Sequence, residues 1–499
     1  MAVAPRMSPW QQWQQRTPDK VALRLEQESL TWQQLAERVE QYAQALHQQG
    51  LQSGDVLTLV GKNHPHTLLW LLAAASHGVI CALTMPQPEQ ALLLKLDALY
   101  GAHQKPHLWL APGAEVPRLS DLLHTDSSQS DSSQTDSCQT NRTVNFIEIP
   151  QALHATEPAG RPVEWHGDLY QADNLATLIF TSGSTGTPKA VAHTHAQHLA
   201  SAQGLLQEFV FSAEDTWLLS LPLYHVSGLA IVYRWLLAGG CLKIGSADLA
   251  CDMAQVTHAS LVPTQLKRLL DAGIELSLTH VLLGGSHIPV RLAQQAAETG
   301  IETWLGYGMT EAASTVTAKR VDGHSGAGHV LAGRQVQLRG QRIYIGGETL
   351  AKGYYRQGIL HPVAEPDGWF DSKDLGAWQD EQLVIIGRAD NQFISGGENI
   401  HCEEIEAVLS RHPAVQLAMV VAVEDDEFGA RPVAVVHSAQ AEFSLEQGAA
   451  WCEGKLEKFK WPVAYFTMPE QLMNSGIKVS RQALKQWLAH HQTRYRVMS

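Results

Sequence analysis

The chain has little with which to build a disulfide framework or a structural zinc site. Its six cysteines, Cys81, Cys138, Cys241, Cys251, Cys402 and Cys452, are scattered, and none forms a Cys-x-x-Cys pair. Long apolar runs are missing as well. The longest strongly apolar stretch, 68–75, is far too short to span a bilayer. The first ten residues lack the apolar core of a secretory signal. Positive charge is scarce: 36 Lys and Arg against 50 Asp and Glu leave a net charge of −14. That balance argues against general nucleic-acid binding and against attachment to anionic membranes. What remains is ordinary globular composition, 44% apolar and 17% charged, in a chain of 499 residues. The expectation is a cytoplasmic protein in a reducing compartment, long enough for two or more domains.

Local patterns divide the chain. Residues 31–46 read as a helix, with Thr31 as N-cap and Leu35, Val39, Tyr42 and Leu46 at helical spacing. Residues 126–140 repeat a five-residue Asp-Ser-(Ser/Cys)-Gln-(Ser/Thr) unit three times. With no apolar residue but one Cys, that insert cannot offset its ordering entropy, and it reads as a disordered polar surface segment. Between 178 and 386, short apolar runs alternate with helical patterns. Val281-Leu282-Leu283 precedes Gly284-Gly285, and Thr303-Trp304-Leu305 precedes Gly306-Tyr307-Gly308. Strands ending in glycine turns predict a mostly parallel α/β sheet with a site at the strand ends. After Gly387-Arg388-Ala389-Asp390 a compact βαβ-like unit follows. The expected organisation is a large domain, 1–389, and a small hinged α+β domain, 390–499.

The densest chemistry lies in Thr181-Ser182-Gly183-Ser184-Thr185-Gly186-Thr187-Pro188-Lys189, directly after the apolar run Leu178-Ile179-Phe180. Glycines let backbone N–H groups approach phosphate oxygens, hydroxyls add donors, and lysine adds charge. The spacing is not that of a Walker A loop. Just beyond it, His193 and His195 are two apart. A helix is expected there, which makes them packing histidines rather than a metal pair. Five further motifs follow in order: 219–228 with His225 and Ser227, Tyr307-Gly308-Met309-Thr310-Glu311, 368–376 with Asp374, Gly387-Arg388-Ala389-Asp390, and Ser475-Gly476-Ile477-Lys478-Val479-Ser480-Arg481.

Taken together, over residues 181–481, these motifs resemble the ordered core motifs of the adenylate-forming superfamily of acyl- and aryl-CoA ligases, peptide-synthetase adenylation domains and luciferases. The resemblance implies that ATP activates a carboxylate as an acyl-adenylate, with Mg²⁺ required and CoA as the acceptor. It implies a phosphate cradle of Thr181, Ser182, Gly183, Ser184, Thr185, Gly186 and Lys189. Glu311 would hold Mg²⁺, Thr310 would donate to the α-phosphate, and Tyr307 would stack on adenine beside Gly284 and Gly285. Asp374 and Arg388 would take the ribose, and His225 would line the acyl pocket. Lys478 would bridge the α-phosphate and the reacting carboxylate, Asp390 would be the hinge, and Gly396 and Gly397 would pass the thiol arm. One departure is Ile477, which separates Gly476 from Lys478.

A physical hint bears on the acid. Ser227 and Arg234 lie seven apart in an otherwise apolar helical stretch, so they share one face two turns apart. An arginine there suits a second substrate carboxylate, assisted by Ser227 and Ser260. The stretches 217–223, 258–266, 394–398 and 477–485 carry the resemblance toward bacterial ligases of an aromatic dicarboxylic acid. Partners are therefore small molecules, with self-association as a homo-oligomer left open. The alternatives are another aryl- or acyl-CoA ligase and a non-catalytic nucleotide-binding homologue.

Overall fold

The structure is a computed structural model that describes residues 7–101, 104–114, 144–150, 169–181, 188–246, 248–274, 276–284, 288, 290–324, 326–395, 398–425, 427–438, 443–473 and 479–491. The repeat at 126–140 lies outside these residues.

Two large sheets build the first part of the chain. One has nine strands, and its centre runs parallel through Val21–Arg24, Cys241–Lys243, Thr216–Leu218, His258–Leu261, His280–Leu283 and Glu302–Met309. The other has eight, with Leu175–Thr181, Ile80–Thr84, Val56–Val60, His107–Leu110 and Asn145–Phe146 parallel. Val56–Val60 and Ile80–Thr84 are buried at every position, as strands covered on both faces must be. Between them, the Pro65–His77 helix is buried from Thr67 onward and packs against the Trp32–Gln48 helix. A helix apolar all round belongs in a core rather than at a surface.

The 31–46 helix is found as Trp32–Gln48. Thr31 accepts from Gln34 N at 3.2 Å while the Gln34 side chain accepts from Thr31 N at 2.9 Å, a reciprocal cap. The helix expected around His193 and His195 is corrected. Lys189–Thr194 is a strand, antiparallel to Leu175–Thr181, and the helix His195–Leu206 begins only after it. Thr194 is the boundary, because its hydroxyl caps Gln197 N at 3.2 Å. Glu302–Met309 also runs straight through Gly306 and Gly308, since it pairs antiparallel with Ser314–Arg320.

A third, antiparallel sheet of four strands spans Arg334–Arg339, Arg342–Gly347, Phe370–Gln379 and Gln382–Arg388. Beyond it, the βαβ-like expectation is corrected to a hairpin, Gln392–Ser395 with Glu398–His401, then the helix Cys402–Leu409. The antiparallel pair Val415–Asp425 and Gly429–Ser438 follows, with Tyr465–Thr467 parallel to Gly429–Ser438. This last part has its own buried clusters, around Ile405, Val420 and Val436 and around Val421, Val435 and Leu484. The architecture is α/β, with large, largely parallel sheets first and a smaller α+β unit last.

Candidate active site

The parallel strands bring three of the candidate residues to one edge. Register pairs Ser260 with Leu282, and Leu283 with both Leu261 and Leu305. Ser260, Gly284 and Tyr307 therefore fall at or beyond the carboxyl ends of neighbouring strands, where open α/β sheets bind ligands. A Cβ added to Gly284 would stand 3.5 Å from the Gly306 carbonyl, an ordinary contact distance.

Thr181 and Lys189 are register partners, which sets the two ends of the phosphate-loop segment side by side. Ser182, Gly183, Ser184, Thr185 and Gly186 lie outside the described residues. Lys189 Nζ stands 5.3 Å from the ring centroid of Tyr354, and the Tyr354 hydroxyl donates to Glu311 Oε1 at 3.1 Å. One tyrosine thus holds the lysine of the loop and the candidate metal-binding carboxylate on its two sides. Its phenol is kept protonated by burial and then by the neighbouring Glu311 charge. Tyr354 had no signal in the sequence reading, because its strand, Gly353–Arg356, reaches Lys189–Thr194 only by long-range pairing. The Glu311 carboxylate, with the neighbouring Thr310 in the same turn, offers hard oxygen donors. It fits Mg²⁺ shared with a polyphosphate, where one or two carboxylates serve and water and phosphate complete the shell.

Thr310 and Glu311 sit in a single 3₁₀ turn, Thr310–Ala312, followed by two residues in the left-handed region, Ala313 at φ 52° and Ser314 at φ 95°. Each such non-glycine residue costs on the order of 1–3 kcal/mol and persists only where the surroundings over-determine it. Gly308 is required opposite, since a Cβ there would stand 1.8 Å from the Ser314 carbonyl oxygen.

Tyr307, Asp374, Arg388 and Asp390 form one chain of contacts. Tyr307 donates to Asp374 Oδ2 at 2.7 Å, and Arg388 donates from one amino nitrogen to Asp374 Oδ1 at 2.9 Å. The same guanidinium grips both oxygens of Asp390, at 2.9 and 3.2 Å. Asp374 and Arg388 are register partners on adjacent strands. Burial pushes the Asp374 carboxyl up, and the Tyr307 bond and the Arg388 charge work against that shift. Asp390 is held low by Arg388 against the opposing effect of burial.

The acid-side residues sit on the Val226–Ala238 helix, as expected. His225 is its N-cap, with its carbonyl accepting from Gly228 N at 3.0 Å, and Ser227 is half-buried in the first turn. Arg234 is 1% exposed. It donates to Thr315 Oγ1 at 3.3 Å and lies over the Trp217 ring at 5.4 Å. Its Nε has no acceptor, and it pairs with no carboxylate, among the described residues. Burial, and then the nearby Arg334 charge, pull this guanidinium down to about 9. Ser260 Oγ is likewise buried without a partner among the described residues. His193 and His195 are buried, and desolvation holds both imidazoles down to about 3. They are neutral packing residues. Gly285, Gly396, Gly397 and Lys478 lie outside the described residues.

Comparison with known proteins gives the family. The AMP-binding enzyme family matches residues 10–355, and the AMP-binding enzyme C-terminal domain matches 404–476. A 2-succinylbenzoate–CoA ligase of Salmonella typhimurium is 42% identical over 484 residues, covering 97% of this chain and 98% of its own. Among solved structures, a substituted Escherichia coli MenE with bound OSB-AMS superposes with a TM-score of 0.82 at 39% identity, covering 98% of this chain and 99% of that one. The o-succinylbenzoate coenzyme A synthetase of Bacillus subtilis in complex with ATP and magnesium ion gives a TM-score of 0.78 at 26% identity, covering 92% and 95%.

Proposed function

This chain belongs to the AMP-binding enzyme family, and on that premise we propose that it is an AMP-forming acid–thiol ligase that converts 2-succinylbenzoate to 2-succinylbenzoyl-CoA in menaquinone biosynthesis. The reaction has two steps. A carboxylate oxygen attacks the α-phosphorus of ATP, the bond to the β-phosphate oxygen breaks, and pyrophosphate leaves. The sulfur of CoA then attacks the acyl carbon of the acyl-adenylate, loses its proton, and expels AMP.

The observation that carries this reading is Arg234, a buried cation with no carboxylate partner among the described residues. Burying an unpaired charge is costly. An acid with two carboxylates relieves that cost with one group while the other reacts, and the relatives act on such an acid by name. Ser227 and Ser260 supply further donors in this pocket, and His225 lines it beside the reacting carboxylate.

Adenylation must bring two anions together and stabilise charge on the phosphoryl group. Lys189 and the Ser182–Thr185 hydroxyls hold the β,γ-phosphates, and Thr310 donates to the α-phosphate. Glu311, buttressed by Tyr354, holds Mg²⁺, which neutralises polyphosphate charge when bound. Tyr307 covers the base next to Gly284 and Gly285, and the Asp374–Arg388 pair takes the ribose hydroxyls. Lys478 bridges the α-phosphate and the attacking carboxylate. We place the domain boundary at 389/390 with Asp390 as hinge, and Gly396 and Gly397 beside the path of the CoA thiol. Its partners are the acid, ATP and CoA, and we place the reaction in the cytoplasm. No helix among the described residues is long and apolar enough to cross a membrane.

ATP–pyrophosphate exchange with 2-succinylbenzoate, benzoate and hexanoate tests the proposal. Exchange should be strongest with 2-succinylbenzoate. A preference for benzoate or hexanoate would make this a different CoA ligase, and exchange with none of a broad panel would make it a nucleotide-binding homologue without this chemistry.

A further inference from the structure

Arg334 begins the Arg334–Arg339 strand and is 6% exposed. Its five N–H donors go to five neutral oxygens. Nε donates to Thr315 O at 3.0 Å. One amino nitrogen donates to Ala332 O at 2.8 Å and Ala200 O at 3.5 Å, and the other to Ser201 O at 2.8 Å and Ser201 Oγ at 2.9 Å. Among the described residues it pairs with no carboxylate. A cation held this way is not there to neutralise an acid. It is a fixed multi-point clamp, a role that needs the planar fork of arginine.

The polarity of the clamp is settled by counting protons. An arginine can only donate, so Ser201 Oγ accepts from Arg334. Its single hydroxyl proton is then free to go to the Ala313 carbonyl, 2.5 Å away. Arg334 therefore reaches both sides of one feature. Through Ser201 it holds the carbonyl of Ala313, and directly it holds the carbonyl of Thr315. Ala313 and Ser314, between those two points, are the consecutive left-handed residues that follow Thr310–Ala312. Thr315 in turn takes the donor of Arg234 on its hydroxyl. The approach is tight enough that a Cβ on Gly204 would stand 2.0 Å from an Arg334 amino nitrogen.

We infer that Arg334 is a positioning residue for adenylation: with Ser201 it locks the Ala313–Ser314 reversal, and so fixes Thr310 and Glu311 on one side and the Thr315–Arg234 contact on the other. This rests on the reading of Thr310 and Glu311 as the α-phosphate and Mg²⁺ residues given above. Strained turns relax when their restraints go, and a shift of about 1 Å at a reacting centre costs about 10²-fold in rate. Removing a direct partner of a metal-binding carboxylate weakens metal affinity by about 10–100-fold, and a clamp that acts on Glu311 through the backbone belongs at the low end of that range.

The test uses the full-length enzyme and two variants, Arg334→Lys, which keeps the buried charge but loses the fork, and Ser201→Ala, which removes the hydroxyl linking Arg334 to Ala313 and leaves the other four Arg334 contacts. Four quantities are measured: MgATP affinity by calorimetry, the Mg²⁺ concentration for half-maximal pyrophosphate exchange, thioester formation from supplied acyl-adenylate, and the thermal midpoint. Both variants should bind MgATP about 10-fold more weakly, need several-fold more Mg²⁺, and exchange pyrophosphate about 10–10²-fold more slowly. Thioester formation should fall clearly less than adenylation, since it needs no Mg²⁺ and only the Arg234 side of the clamp still bears on the acyl group. Unchanged MgATP affinity in Ser201→Ala overturns the inference. So does a parallel loss of both half-reactions together with the thermal midpoint, which would make the clamp purely structural. Wild-type protein that exchanges no pyrophosphate with any acid overturns the functional reading itself, and no variant result does that.

Discussion

Tyr307 donates its hydroxyl to Asp374 Oδ2 at 2.7 Å, linking the end of one strand to the middle of another sheet. The residue proposed to cover the base and the residue proposed to bind the ribose are therefore one unit. Tyr307→Phe keeps the ring and deletes the bond, leaving a buried carboxylate oxygen short of one donor. Stability should fall by about 1–3 kcal/mol, the cost of an unsatisfied buried polar atom. ATP affinity should fall less in Tyr307→Phe than in Tyr307→Ala, which removes the stacking surface as well. Thermal melts with and without ATP read both effects. A Phe variant that melts like wild type would show that the bond contributes nothing.

Arg234→Ala should reduce kcat/KM for 2-succinylbenzoate by roughly 2–4 kcal/mol, the scale of losing a buried charge partner. A monocarboxylate analogue should suffer much less. The structure sharpens this expectation, because Arg234 is not satisfied by its neighbours and its Nε is unpaired among the described residues. Equal losses on both acids would assign Arg234 to packing against Trp217 instead.

A pH dependence follows from Glu406 on the Cys402–Leu409 helix. Burial pushes this carboxyl up to about 7, although Arg481, 2.6 Å away, and the Val420 N–H both favour its charge. A raised acid binds its proton more tightly folded than unfolded. Its contribution is therefore full below the ordinary value of 4.5 and is lost as pH rises toward about 7. The loss is on the order of 3 kcal/mol or less. Denaturant titrations from pH 4.5 to 8 should show that fall in wild type and a flatter profile in Glu406→Gln. An identical slope in the two proteins would place the titration elsewhere.

What could be read in advance was local. Thr31 as N-cap and four apolar residues at helical spacing lie within one segment, and the helix is there. Three of the motif residues do meet, Tyr307 with Asp374 and Asp374 with Arg388. The failures share a cause. Gly306 and Gly308 looked like a turn, yet the antiparallel partner Ser314–Arg320 carries the strand past them. The unit after 390 looked βαβ-like because pairing direction leaves no mark on a strand's own residues. Tyr354 and Arg334 were invisible for the same reason: their partners Glu311 and Ser201 are 43 and 133 residues away in the chain.

The two half-reactions need different surroundings for one acyl-adenylate. Adenylation needs a cation at the α-phosphate and exclusion of water, whereas thioester formation needs an open path for the thiol. A small domain turning at Asp390 meets both demands if it presents Lys478 in one orientation and the Gly396–Gly397 face in the other. The structure adds a physical handle, since Arg388 bonds Asp374 and both oxygens of Asp390 at once, tying the hinge to the ribose carboxylate. Lys478→Ala should slow adenylation by about 10²–10³-fold, the scale for one preorganised charge partner, and leave thioester formation from supplied acyl-adenylate nearly intact. Asp390→Pro should do the reverse, because a fixed φ favours one orientation. Asp390→Ala is the needed companion. It releases Arg388 without restricting the backbone, so a thioester defect present in the Pro variant and absent in the Ala variant belongs to the hinge. If Lys478→Ala slows both halves equally, or if Pro and Ala at 390 behave alike, alternation about Asp390 is wrong for this chain.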